Sequence, residues 1–184
     1  VRSLVMLITN ARYISPLPKG FVNFAAASYF YIPSLFIIWI AIAAIASVVV
    51  KYTRLGRNVF AIGCNMECAR LSGINIRRNT YAVYIIVAAL SSFAGVLTAG
   101  RLATGLPMAG NGYELQVIAA VVVGGGSLAG GEGTIVGTIL GAILIATIGN
   151  GGNLLGVNPH ILNIIVGLLI IISVYIDSLN KKRR

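Results

Sequence analysis

The run IPSLFIIWIAIAAIASVVV, Ile32 to Val50, is nineteen residues without a charge. As a helix it would reach roughly 28 Å, about one bilayer hydrocarbon core. In lipid it must be helical, because a lone strand would leave every backbone amide unpaired at a cost of several kcal/mol each. Tyr29 and Tyr31 on one flank and Tyr52 on the other carry rings suited to a membrane interface. Lys51 and Arg54 close the span on the side expected to be cytoplasmic, which puts residue 31 outside and residue 51 inside.

The rest of the chain continues the pattern. It is 58% hydrophobic and 10% charged, against roughly 25% charged residues in a soluble protein, so a water-soluble fold could not cover its apolar surface. Fourteen Lys and Arg stand against four Asp and Glu. In a soluble protein that excess would point to nucleic acid. Here Lys51, Arg54, Arg57, Arg70, Arg77 and Arg78 fall in one stretch and Lys181, Lys182, Arg183 and Arg184 in the tail, both beside long apolar runs. Basic residues held on the cytoplasmic face of a membrane are distributed in this way. No aromatic-basic recognition motif accompanies the charge, so membrane lipid is expected as a partner and nucleic acid is not.

A second span is expected from Asn79 to about Gly100, held inside by Arg77 and Arg78 and marked outside by Arg101. The last should run from Pro159 to about Leu179, with Asn158 as N-cap and the basic tail at the negative end of the helix dipole. If residue 79 and the tail are both cytoplasmic, the chain between them crosses an even number of times. Leu115 to Gly126 and Thr134 to Asn150 supply the missing pair. The first is short, so it should be tilted, shielded by protein, or broken within the glycine run.

The upstream piece, Val1 to Phe30, then belongs outside. Leu4 to Ile8 is too short to span and Ser15 to Gly20 reads as a turn-rich loop, so the piece is a re-entrant helix or the stub of a span. The chain begins at Val1 inside an apolar run, and a longer parent protein is expected. The fold class is all-α, a polytopic membrane protein with about five crossings, N-terminus outside and C-terminus cytoplasmic.

Within the loop 54–78, Asn65 can cap a short helix beginning at Met66, Glu67 favours the positive end of that helix, and Gly73 sits where a left-handed C-terminal cap is wanted. Cys64 and Cys68 lie in a reducing compartment on this topology, with no nearby His, so neither a disulfide nor a metal is expected. The run Gly124 to Gly133 lacks the Gly-Lys-Ser/Thr ending of a phosphate loop, since no Lys lies between Lys51 and Lys181. A helix break accounts for it better. Exposure of Gly124, Gly125, Gly126 and Ser127 to a solute path is the second reading. Gly133, Gly137 and Gly141 recur at intervals of four, a stripe suited to close helix packing. Glu114 suits a helix start, with Asn111 as candidate cap. His160 has no acid or nucleophile beside it, and the chain offers no acid pair, metal cluster or nucleophile-base set, so no catalysis is expected.

The stretch GRNVFAIGCNMECARLSGI, Gly56 to Ile74, resembles the conserved loop of the sugar-type permeases of ATP-binding-cassette importers, the ribose-permease family. Glu67, Ala69 and Gly73 match that family's Glu-Ala-Ala and following Gly, and Cys68 departs at the middle Ala. The likeness continues through Ala109 to Leu115, Gly124 to Gly133 and Asn150 to Val157, in family order, over about residues 54–179. The family's N-terminal spans have no counterpart, so the chain is expected to be the C-terminal part of a permease. The resemblance implies a bacterial inner-membrane subunit that forms a path for a sugar-like solute with a second permease subunit. A periplasmic solute-binding protein would deliver the solute, and cytoplasmic ATPase subunits would bind the ATP, leaving this chain without a cofactor. Met66, Glu67, Ala69, Arg70 and Gly73 would then belong to the coupling helix that meets the ATPase. Branched-chain amino-acid permeases are the nearest alternative, followed by a secondary transporter or channel that works without an ATPase.

Overall fold

The computed structural model describes residues 2–10, 12–29 and 32–182. Among them the chain forms nine helices and one short strand pair: α1 (Arg2–Thr9), α2 (Lys19–Ala26), β1 (Ser28–Tyr29), β2 (Ile32–Pro33), α3 (Ser34–Tyr52), α4 (Arg54–Cys64), α5 (Met66–Leu71), α6 (Ile76–Leu102), α7 (Tyr113–Val123), α8 (Ile135–Leu154) and α9 (Pro159–Lys182). The helices α3, α6 and α8 are long and apolar enough to cross a membrane, and α7 and the stretch Pro159–Tyr175 of α9 are shorter apolar helices.

The span expected from Ile32 begins at Ser34 instead. Ile32 and Pro33 are extended and pair antiparallel with Tyr29 and Ser28. Proline drives this offset, because it pushes the residue before it out of the helical region and lacks the N–H that a helix interior needs. Tyr31 lies outside the described residues, as do Val1, Arg183 and Arg184. At the other end α3 runs on through Lys51 and Tyr52, whose ring lies 5.4 Å from the Lys51 ammonium.

The chain divides into two compact units, residues 1–45 with 77–111, and residues 46–76 with 112–184. In the first unit, the segment expected to be loop or stub carries two helices of eight residues, α1 and α2, each about 12 Å long and too short to cross. Ile14 and Gly105 exchange both backbone hydrogen bonds at 3.0 Å, so the upstream piece sits at the end of α6 marked by Arg101. Among the described residues α3 buries no side chain and α6 buries only Gly100. Phe36, Ile45, Tyr84 and Ile85 stand exposed on these helices, as lipid-facing or subunit-facing side chains do.

The second unit holds the packed core. Ala119 and Ala120 of α7, Ile145 of α8 and Val166 of α9 are buried together, with Ala142, Leu169 and Ile170 against them. The small α7 side chains let the backbones close up. A Cβ on Gly141 would strike the Ala120 carbonyl, and one on Gly137 would strike the Gly124 carbonyl, so two glycines of α8 face α7 in direct contact. Gly133 is not on that stripe. Thr134 ends the extended chain and caps α8, its Oγ1 accepting from the Gly137 N–H at 3.0 Å, which leaves Gly133 ahead of the first turn.

Two glycines of the same helix therefore separate packing from propensity. Gly149 of α8 has open space at its Cβ position. Gly149→Ala is expected to leave the melting temperature in detergent unchanged or raise it, since Ala favours a helix by up to about 1 kcal/mol over Gly. Gly141→Ala is expected to lower stability by about 1–3 kcal/mol, the usual cost of overpacking. Equal effects from the two changes would contradict the α7–α8 contact.

Candidate functional site

The basic stretch 54–78 is more structured than a loop with one helix. After α3 the Thr53 hydroxyl donates to the Val49 carbonyl at 2.6 Å and accepts the Gly56 N–H at 3.4 Å, which turns the chain into α4. Gly56 is buried because a Cβ there would strike the Val50 carbonyl. Sequence reading missed α4. Its signal was present in Arg54 and Arg57, exposed on one side, and Leu55, Val59, Phe60 and Ile62, partly buried on the other.

Helix α5 follows at once, with both ends formed by local chemistry. The Asn65 side-chain carbonyl accepts the Glu67 and Cys68 N–H groups, each at 3.0 Å. At the far end the Gly73 N–H reaches the Arg70 carbonyl at 3.0 Å and the Ile74 N–H reaches that of Ala69 at 3.1 Å, the paired bonds of a Schellman cap. That cap needs a left-handed residue, and Gly73 supplies it at φ +78°. Ala69 is buried on the inner side of α5. Glu67 and Arg70 form an exposed ion pair at 2.9 Å, and Met66 and Leu71 are 58% and 79% exposed. Of the five residues singled out from sequence, Met66, Glu67, Ala69 and Arg70 share one short helix with an apolar and charged outer surface, and Gly73 forms its C-terminal cap.

The glycine run begins where α7 ends at Val123. Gly124 seats against Gly137 of α8, and Gly125, at φ +85°, turns the chain. The Gly126 N–H returns to the Val121 carbonyl at 2.8 Å and the Ser127 N–H reaches the Glu132 carbonyl at 3.0 Å, closing a compact turn. The Ser127 hydroxyl donates to the Asp177 carboxylate of α9 at 2.9 Å. Gly130 and Gly131 then lie on the α4–α5 junction. A Cβ on Gly130 would come within 2.8 Å of the Gly63 carbonyl oxygen, and one on Gly63 within 2.5 Å of the Gly131 nitrogen. The Cys64 thiol points to the Gly131 carbonyl at 3.8 Å.

One end of this unit therefore gathers the α4–α5 junction, the exit of α7, the entry of α8 and the last turns of α9. Gly63, Cys64, Gly130, Gly131 and Asp177 belong to it, and sequence reading named none of them as site residues. Asp177 left a legible mark as the lone acid of α9. The glycine contact left none, since it joins positions far apart in sequence. Two smaller expectations change. The residue ahead of α7 is Gly112, in a left-handed conformation with no side-chain cap, so Asn111 is not the cap, although Glu114 does sit in the first turn. Asn158 fills its expected role, accepting the His160 N–H at 2.9 Å.

Residues 2–174 match the family described as "Branched-chain amino acid transport system / permease component". The chain belongs to that permease family. It is 39% identical to the ribose import permease of Escherichia coli strain K12 over 190 residues, covering 100% of this chain and 58% of that protein. It is 44% identical to the galactose/methyl galactoside import permease of Haemophilus influenzae over 177 residues, covering 92% of this chain and 53% of the other. With the xylose transport system permease of E. coli K12 it shares 43% identity over 131 residues, 71% of this chain and 33% of that protein. The chain therefore spans little more than half the length of the first two relatives and a third of the last. No solved structure matches it. As a member of this family with apolar helices of spanning length, it is a multi-pass protein of the inner membrane.

The Asn65 cap yields a local test. Asn65→Ala is expected to destabilise α5 by about 1 kcal/mol and speed amide exchange at Glu67 and Cys68, whereas Asn65→Asp keeps the acceptor and the slow exchange. Exchange equally fast in both variants would contradict the cap.

Proposed function

We propose that this chain belongs to a permease subunit of an ATP-driven importer, and that it helps to form the path for a neutral sugar. The site residues of α5 form the surface on which a cytoplasmic ATPase subunit seats. The observation that carries this reading is α5 itself: a helix capped at both ends, tied to the packed bundle, that turns Met66, Leu71 and the Glu67–Arg70 pair outward. Exposed apolar side chains beside a charge pair suit a protein groove.

The sugar reading rests on the relatives, whose names specify ribose, galactose or methyl galactoside, and xylose. The family description specifies branched-chain amino acids instead, and that solute class is the alternative. Scarcity of ionisable side chains in the apolar helices fits an uncharged solute, because a charged one calls for a counter-charge within the membrane. ATP binds on the partner in this scheme. A second permease subunit would complete the path, and a periplasmic binding protein would deliver the solute. We place residues 51–78 and the basic tail in the cytoplasm, with five crossings and the upstream segment outside. The glycine run then lies at the cytoplasmic end as a helix break, which favours that role for Gly124, Gly125, Gly126 and Ser127 over lining the path.

Leu71→Asp is expected to weaken ATPase association by at least about tenfold, the loss typical of an apolar anchor. Gly73→Val, which forces a β-branched residue into a left-handed conformation, is expected to disrupt the cap and lower transport with it. Copurification and uptake by the reconstituted complex measure both. Full association and full uptake in the two variants would refute the assignment of α5.

A further inference from the structure

The glycine run is held at three places within the second unit. At its start Gly124 is locked to Gly137 of α8, and toward its end Gly130 and Gly131 rest on Gly63 and Cys64. Between them the partly buried Ser127 hydroxyl holds Asp177 Oδ2 at 2.9 Å while its oxygen accepts the Ala129 N–H at 3.3 Å. Six of the ten residues from Gly124 to Gly133 are glycine. Such a chain has many accessible backbone conformations, so a push delivered at Gly130–Gly131 would be absorbed by the loop unless the loop were pinned. The Ser127–Asp177 hydrogen bond is that pin. It joins the loop to α9, which packs with α7 and α8 through Val166, Leu169 and Ile170.

We propose that Ser127 and Asp177 are positioning residues for coupling: their bond makes the glycine run stiff enough to pass movement of the α4–α5 junction into α9 and its bundle. The inference rests on the reading of α5 as the ATPase contact. It assigns Asp177, the one acid of α9, a mechanical role rather than one in binding solute. The bond is local to the end of the bundle, so its loss should leave the α5 surface intact and ATPase association unchanged.

The test uses the complete transporter in proteoliposomes, with solute moved per ATP hydrolysed as the readout. Ser127→Ala and Asp177→Ala are each expected to lower that ratio about tenfold, the scale of a lost hydrogen bond to a charged group, with the ATPase still bound. The double variant should lose less than the product of the two single losses, because both changes remove the same bond. Asp177→Asn keeps an acceptor for the hydroxyl and should retain most of the ratio. A ratio within twofold of the parent in Ser127→Ala, or losses that multiply in the double variant, would overturn the proposal while leaving the function intact. Uptake by the parent protein that needs no ATP would overturn the function and the proposal together. Should Asp177→Ala fail to accumulate, Ser127→Ala, which removes a single oxygen, decides the matter.

Discussion

A peptide group in hydrocarbon has no water to bond, and leaving one unsatisfied costs several kcal/mol. The architecture answers to that constraint. Long apolar stretches such as Ser34–Tyr52 are continuous helices, and the irregular backbone has its own bonds. Where α7 stops after eleven residues, about 16 Å and too short to cross alone, the exit is closed by Gly126 to Val121 and Ser127 to Glu132. Buried Ala119, Ala120 and Val122 show that α7 is covered by protein on one side. A short helix with a glycine exit is tolerable in a membrane only with such cover.

The same constraint explains why glycine dominates the contacts that matter. Backbone meets backbone at Ala120 with Gly141, Gly124 with Gly137, and Gly63 with Gly130 and Gly131. Direct contact of this kind has few adjustable side chains, so displacement of one element moves its neighbour instead of being absorbed by rotamers. In the proposed transporter this is what links a cytoplasmic helix of six residues to the spans. Movement of α5 would reach α7 and α8 through the glycine run, and α9 through Ser127 and Asp177, giving the coupling a physical carrier.

Legibility followed locality. The caps of α5 were readable because Asn65 and Gly73 act on neighbours two or three residues away, and Asn158 at α9 was readable for the same reason. The spans were readable from length and charge, with errors of a few residues where Pro33 delayed α3 and where α6 took in Arg77 and Arg78. A period of four does not reveal that Thr134 starts the helix, so Gly133 falls ahead of α8 and off its stripe. Helix α4 was hidden by the charges that made the stretch look like a loop. The contacts of Gly63 with Gly131 and of Ser127 with Asp177 join residues 68 and 50 positions apart, which no single-sequence pattern records.

Seating of an ATPase on α5 requires that the α4–α5 junction lie in the cytoplasm, together with the basic tail. Cys64 and Cys68 are both exposed and free, so they report on it without substitution. In membrane vesicles stripped of peripheral proteins, a membrane-impermeant maleimide should label them in inside-out vesicles and spare them in sealed right-side-out ones. Labelling from the periplasmic face would invert the topology and remove the ATPase from reach of α5.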